Sequence, residues 1–168
     1  MRQLWSTLRP NTDFIMAIKD LKKKYPSLRV HAFSNISAPD MNRLKHTIDT
    51  WELFDNVIGS GSIGHRKPEF DSFRRVLECA EISPSAAIFV DDTPENVVTA
   101  FLFGIQGFLF DDTATAIKRI HNLVGDPVSR GMKFLKKRSK NLFCETDKGI
   151  TIKDNFSQLL ILQCIGDR

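Results

Sequence analysis

The stretch that most constrains this chain is the run Ala86-Ala87-Ile88-Phe89-Val90, followed at once by Asp91-Asp92-Thr93-Pro94-Glu95-Asn96. Five apolar residues between Pro84 and a turn suit a parallel strand covered on both faces. Asp91 and Asp92 then fall at its carboxyl end, the edge of an open α/β sheet where ligands sit beside helix N-termini. Thr93 is placed to cap the next helix and Pro94 to open it. Val97, Ala100 and Phe101 supply its inner face, and Gly104 ends it. Two adjacent carboxylates repel each other, so this corner expects a cation. Magnesium suits one or two carboxylates completed by waters and phosphate oxygens. Taken alone, the same residues also fit a plain strand end followed by a turn.

The rest of the chain alternates in the way such a sheet requires. Pro10-Asn11-Thr12-Asp13 opens a helix carrying Phe14, Ile18 and Leu21, with Lys22, Lys23 and Lys24 at its negative end. Residues 28–33 read as a strand, and Ser34-Asn35-Ile36-Ser37 as the loop at its end. Pro39 and Asp40 begin a helix with Met41, Leu44 and Ile48 inward, and residues 54–58 form another strand. Residues 59–64 read as a glycine-rich loop leading to Arg66-Lys67-Pro68-Glu69, and Phe70, Phe73, Val76, Leu77 and Ala80 mark one helix face. A further strand is expected over 105–110 and a helix over 114–123. Strands alternating with helices, joined by connections too long for hairpins, give an α/β fold with a parallel sheet and helices on both faces.

Length and composition set the class. The chain has 168 residues, 42% hydrophobic and 26% charged, enough for one soluble domain with a short appendage. Much of the net charge of +4 comes from Lys133, Lys136, Lys137, Arg138 and Lys140. Phe134 is the one aromatic among them, too few for a base-stacking platform, so the cluster reads as a solvated helix face and not as a nucleic-acid site. Three widely spaced cysteines, Cys79, Cys144 and Cys164, make neither a disulfide framework nor a zinc pattern. With no apolar run of membrane-spanning length and no signal peptide at Met1, a cytoplasmic protein is expected.

Three polar sites recur at strand or loop ends: Ser34 with Asn35, Lys67, and Asp91 with Asp92. A hydroxyl and backbone N–H groups can hold phosphate oxygens, an ammonium can offset charge developing on a transferring phosphoryl group, and paired carboxylates can hold magnesium. Singly, Ser34-Asn35 is an ordinary turn and Lys67 an ordinary solvated lysine. In this order the segments His31-Ala32-Phe33-Ser34-Asn35, Lys67-Pro68-Glu69 and Val90-Asp91-Asp92-Thr93-Pro94-Glu95-Asn96 resemble motifs of the haloacid dehalogenase-like hydrolases, mostly magnesium-dependent phosphatases on a Rossmann-like sheet. The likeness runs from about Leu8 to Leu123. It implies Lys67 and Ser34 as catalytic residues, Ser34, Asn35 and Lys67 as phosphate ligands, and Asp91 and Asp92 as ligands of Mg2+. The implied partner is a phosphorylated small molecule. A response-regulator receiver uses similar groups, but with the acidic pair first and the lysine last, opposite to the order here.

The family's first motif, an Asp-x-Asp ending a central strand whose leading aspartate attacks the substrate, has no counterpart before Ser34, and the cap segment is also missing. A sheet lacking that strand is expected to open at its middle or to pair its flanking strands directly. Either outcome displaces Ser34 from Asp92 by about 5 Å, more than a catalytic site tolerates. Without a positioned nucleophile only positioning and electrostatics remain, so weak activity or none is expected. A truncated gene model, a pseudoenzyme and a fragment of a longer protein are all consistent with this absence.

Beyond Gly125-Asp126-Pro127 the character changes. Residues 131–135, 141–143 and 153–162 resemble the segment after the hydrolase-like domain in fungal two-domain sesquiterpene cyclases. That resemblance implies a non-catalytic module, or the front part of a terpenoid-forming protein, with a prenyl diphosphate as its ligand and a C-terminal domain beyond this chain. The expected organisation is a hydrolase-like core over 1–125, truncated at its front, with 126–168 a helical appendage or the start of a second domain.

Overall fold

The structure, a computed structural model, describes residues 11–46, 51–125 and 159–162. The elements run α1 (Thr12–Lys24), β1 (Arg29–Ser34), α2 (Ala38–Lys45), β2 (Asn56–Gly59), α3 (Ser60–Ile63), α4 (Phe70–Ala80), β3 (Ala87–Asp91), α5 (Pro94–Leu102), β4 (Gln106–Leu109), α6 (Thr113–Gly125) and β5 (Leu159–Leu162). All pairings are parallel and the strand order is β2-β1-β5-β3-β4.

Local chemistry explains the helix starts. Asn11 accepts from the Phe14 N–H at 3.1 Å to cap α1, and Ser37 accepts from the Asp40 N–H at 3.2 Å to cap α2. Helices cover both faces of the sheet. On one side Phe73, Val76, Leu77 and Ala80 of α4 and Ala100 of α5 pack on Phe33 of β1 and on Ala87 and Phe89 of β3. On the other, Ile18 and Leu21 of α1 and Ile120 and Val124 of α6 pack on Val30, Ile88 and Val90. The alternation of Phe33 against Val30, and of Phe89 against Ile88 and Val90, is the period-2 pleat.

Several expectations are corrected. Residues 60–63 close a helical turn inside the glycine-rich segment, because Gly64 adopts φ +74° and its N–H returns to the Ser60 carbonyl at 3.0 Å. Phe101 is exposed. The inner stripe of α5 runs through Asn96 and Ala100, and Phe101, five positions after Asn96, falls off it. Phe70 also faces outward, its ring 5.8 Å from that of Phe103. The Thr93 hydroxyl turns to Asp92 and does not cap α5. Ile48 and the basic cluster lie outside the described residues.

The largest correction concerns the middle of the sheet. It neither opens nor pairs β1 directly with β3, because residues 159–162, expected in a helical appendage, form a strand between them. Leu-Leu-Ile-Leu is the composition a doubly covered parallel strand needs. The rest of the tail lies outside the described residues.

Gly61 gives a sharp test of how the loop after β1 is held. Its N–H donates to the Ile36 carbonyl at 3.0 Å, and a Cβ there would stand 2.5 Å from the Ala38 nitrogen. Gly61→Ala should therefore push α3 off the start of α2 and cost about 1–3 kcal/mol in denaturant unfolding. An unchanged midpoint would show that the two segments are not in contact.

Candidate functional site at the carboxyl edge of the sheet

Parallel pairing carries the predicted groups to one edge. Ala32 and Val90 both align with Leu162, so Phe33 and Asp91 occupy the next level of the sheet, and Ser34 and Asp92 the one after. Ser34 ends β1 and Asp91 ends β3, and both are buried.

Lys67 is not the solvated lysine its sequence position suggests. Its side chain is fully buried, with Nζ donating to an Asp91 carboxylate oxygen at 2.7 Å and to the Phe33 carbonyl at 3.1 Å. The ammonium also lies 5.1 Å and 5.7 Å from the ring centroids of Phe33 and Phe89. Lys67 thus ties the end of β1 to the end of β3. Its backbone is fixed by Asn35: the Lys67 N–H donates to Oδ1 at 2.7 Å, and Nδ2 donates to the Lys67 carbonyl at 2.9 Å. The Asn35 side chain is consumed in this way, which leaves its backbone for any ligand.

Asp91 has both oxygens engaged. Beside the Lys67 bond, its other oxygen accepts from the Thr93 N–H at 2.9 Å and from Asn96 Nδ2 at 3.0 Å. The role of Asn96 has one sequence signal, a polar residue on the inner stripe of α5. Asp92 is exposed, and one of its oxygens accepts from the Thr93 hydroxyl at 3.3 Å.

This arrangement tests the fit of a metal. Asp91 is committed to three internal donors, so Asp92 is the carboxylate of the pair turned to solvent. Among the described residues no three His, Cys, Asp or Glu side chains gather into a metal-binding group. Such a donor set suits magnesium only as a shared ion, completed by waters and phosphate oxygens, not as a resident one.

The model of the haloacid dehalogenase-like hydrolases matches residues 2–104, and that of the sesquiterpene cyclase astC-like C-terminal domain matches residues 128–168. A drimenol cyclase from Aspergillus calidoustus is 38% identical over 162 residues, 96% of this chain and 31% of that protein. A sesquiterpene phosphatase from Aspergillus oryzae is 33% identical over 124 residues, 74% of this chain and 62% of its own length. The chain therefore spans less than two thirds of either relative. Among solved structures, a family enzyme from Bacteroides thetaiotaomicron, crystallised with magnesium and inorganic phosphate, superposes with a TM-score of 0.51 at 25% identity, covering 60% of this chain and 52% of that one. Among the described residues no helix is long and apolar enough to cross a membrane.

Proposed function

This chain belongs to the haloacid dehalogenase-like hydrolases, and from that premise we propose that its sheet edge binds the phosphoryl group of a phosphorylated small molecule, with hydrolysis weak or absent. The observation that carries this reading is the buried Lys67 ammonium, tied to both β1 and β3 at the edge where Ser34 and Asp92 also lie. Ser34 and the Asn35 backbone take phosphate oxygens, and Lys67 offsets their charge. Asp91 orients Lys67 and braces the corner. Magnesium, when bound, adds charge neutralisation of the phosphoryl oxygens, with Asp92 as its protein carboxylate. No Asp-x-Asp occurs in residues 1–34, and β5, which holds the central place, has the sequence Leu-Leu-Ile-Leu, so the groups named here bind and polarise without an attacking carboxylate.

A second feature narrows the ligand. Residues 128–168 match the cyclase C-terminal model, and the drimenol cyclase aligns along nearly the whole chain. This favours a prenyl diphosphate over a sugar phosphate, and a role for this chain as the front part of a terpenoid-forming protein, with residues 159–162 belonging to its sheet.

Titration calorimetry with inorganic phosphate and with a prenyl diphosphate, each with and without magnesium, tests the proposal. Binding that tightens with magnesium, and loses that gain in Asp92→Asn, is the expected result. Hydrolysis of an aryl phosphate should stay near background. Turnover abolished by Asp92→Ala would show that the site catalyses without the first motif, and failure to bind either anion would remove the site.

A further inference from the structure

β1 and β3 border a gap one strand wide that they do not close themselves. Three ties hold its rims apart at a fixed spacing. Lys67 bonds the Phe33 carbonyl on one rim and Asp91 on the other. On one face the Phe73 ring of α4 stands edge-on to both Phe33 and Phe89, at centroid distances of 6.2 Å and 5.2 Å. On the other face Val30 shares a core cluster with Ile88 and Val90. The first two of these ties are direct contacts that do not involve β5.

β5 is attached quite differently. It reaches the gap from the far end of the chain, after residues 126–158, and is registered along Arg29–Ala32 on one side and Ala87–Val90 on the other. A four-residue apolar strand held by main-chain ladders on both sides is bonded as a peptide is bonded in strand-addition complexes, where backbone hydrogen bonds give affinity. The elements α1 to α6 build both rims and both covering layers before it is reached in the chain.

The geometry points to a strand-accepting site between β1 and β3, which takes an apolar peptide strand parallel to both from another polypeptide as well as from residues 159–162 of its own chain. The partner is defined by its chemistry: four consecutive aliphatic residues, without proline, free to run in the direction of β1. Parallel entry points the partner's carboxyl end toward the rim of Lys67 and Asp91. The chain's own strand competes, with an effective concentration on the order of millimolar for a tethered segment.

The test uses the full chain carrying Leu160→Pro, since proline lacks the N–H and is not held in a central strand. The probe is a fluorescent peptide with the sequence of residues 157–163, flanked by lysines for solubility. Saturable one-to-one binding is expected, at least about tenfold tighter to the variant than to the wild type. The peptide should raise the variant's thermal midpoint and protect β1 and β3 amides from hydrogen exchange, and a peptide with proline at the position of Leu160 should do neither. A variant as stable as the wild type that binds no peptide overturns the proposal. So does an unfolded variant that excess peptide fails to refold, and so does equal binding to both proteins.

Discussion

Replacing Lys67 with methionine should lower stability by about 3–5 kcal/mol at pH 7, although the two side chains are close in volume. Methionine keeps the stem among Phe33 and Phe89 but removes the ammonium, leaving the Asp91 carboxylate, whose side chain has no exposed surface, facing only the Thr93 N–H and Asn96. The Phe33 carbonyl loses a donor as well. Asp91→Asn added to Lys67→Met should recover about half of the loss, because no charge is then stranded. Urea unfolding of the four proteins at pH 7 provides the measurement. A single variant within about 1 kcal/mol of the wild type would mean that the pair is solvated in solution, and the tie between the sheet halves would fall with it.

The sequence was most legible where one physical rule acted alone. Asp91 and Asp92 at a strand end, Ser34 at another and the helix starts near Asn11 and Pro39 followed from patterning and turn chemistry, which are local. The burial of Lys67 was not legible, because it depends on Asp91, Phe33 and Asn35, which lie 24 to 34 positions away in sequence. The same distance hid the division of labour between the two carboxylates. Adjacent in sequence, they look equivalent, yet the pleat turns Asp91 inward to three donors and leaves Asp92 at the surface. The middle of the sheet was the least legible part. An apolar tetrad far from its partners carries no signal that separates a buried strand from a buried helix turn, and only the unfilled gap between β1 and β3 decides it.

Acid should destabilise the protein through His31, by about 3 kcal/mol between pH 7 and pH 4. His31 sits in mid β1, 1% exposed, with neither ring nitrogen hydrogen-bonded. Burial lowers its pKa to about 4. The Asp55 carboxylate opposes that shift, and Arg29 and Lys22 add to it. The unfolded chain takes up a proton at His31 near pH 6.5, whereas the folded chain resists until about pH 4, so the unfolded state binds more protons across that interval and stability falls with the pH. Below it a second loss begins at Asp55. Burial there pushes the carboxyl up, but the Lys22 ammonium at 2.8 Å and the Val30 N–H at 2.7 Å outweigh it and hold the group below its usual range. A carboxylate held that way stabilises the fold at neutral pH and loses its contribution only as it protonates. His31→Leu separates the two, since it removes the titrating ring and two unsatisfied nitrogens but keeps the Lys22 and Val30 hydrogen bonds, which lower Asp55 more than His31 does. The variant should be at least as stable as the wild type at pH 7, nearly flat in stability from pH 6.5 to 4.5, and as acid-sensitive as the wild type below pH 4. Denaturant midpoints measured across this range would decide it: parallel pH profiles for the two proteins would place the acid sensitivity elsewhere in the chain.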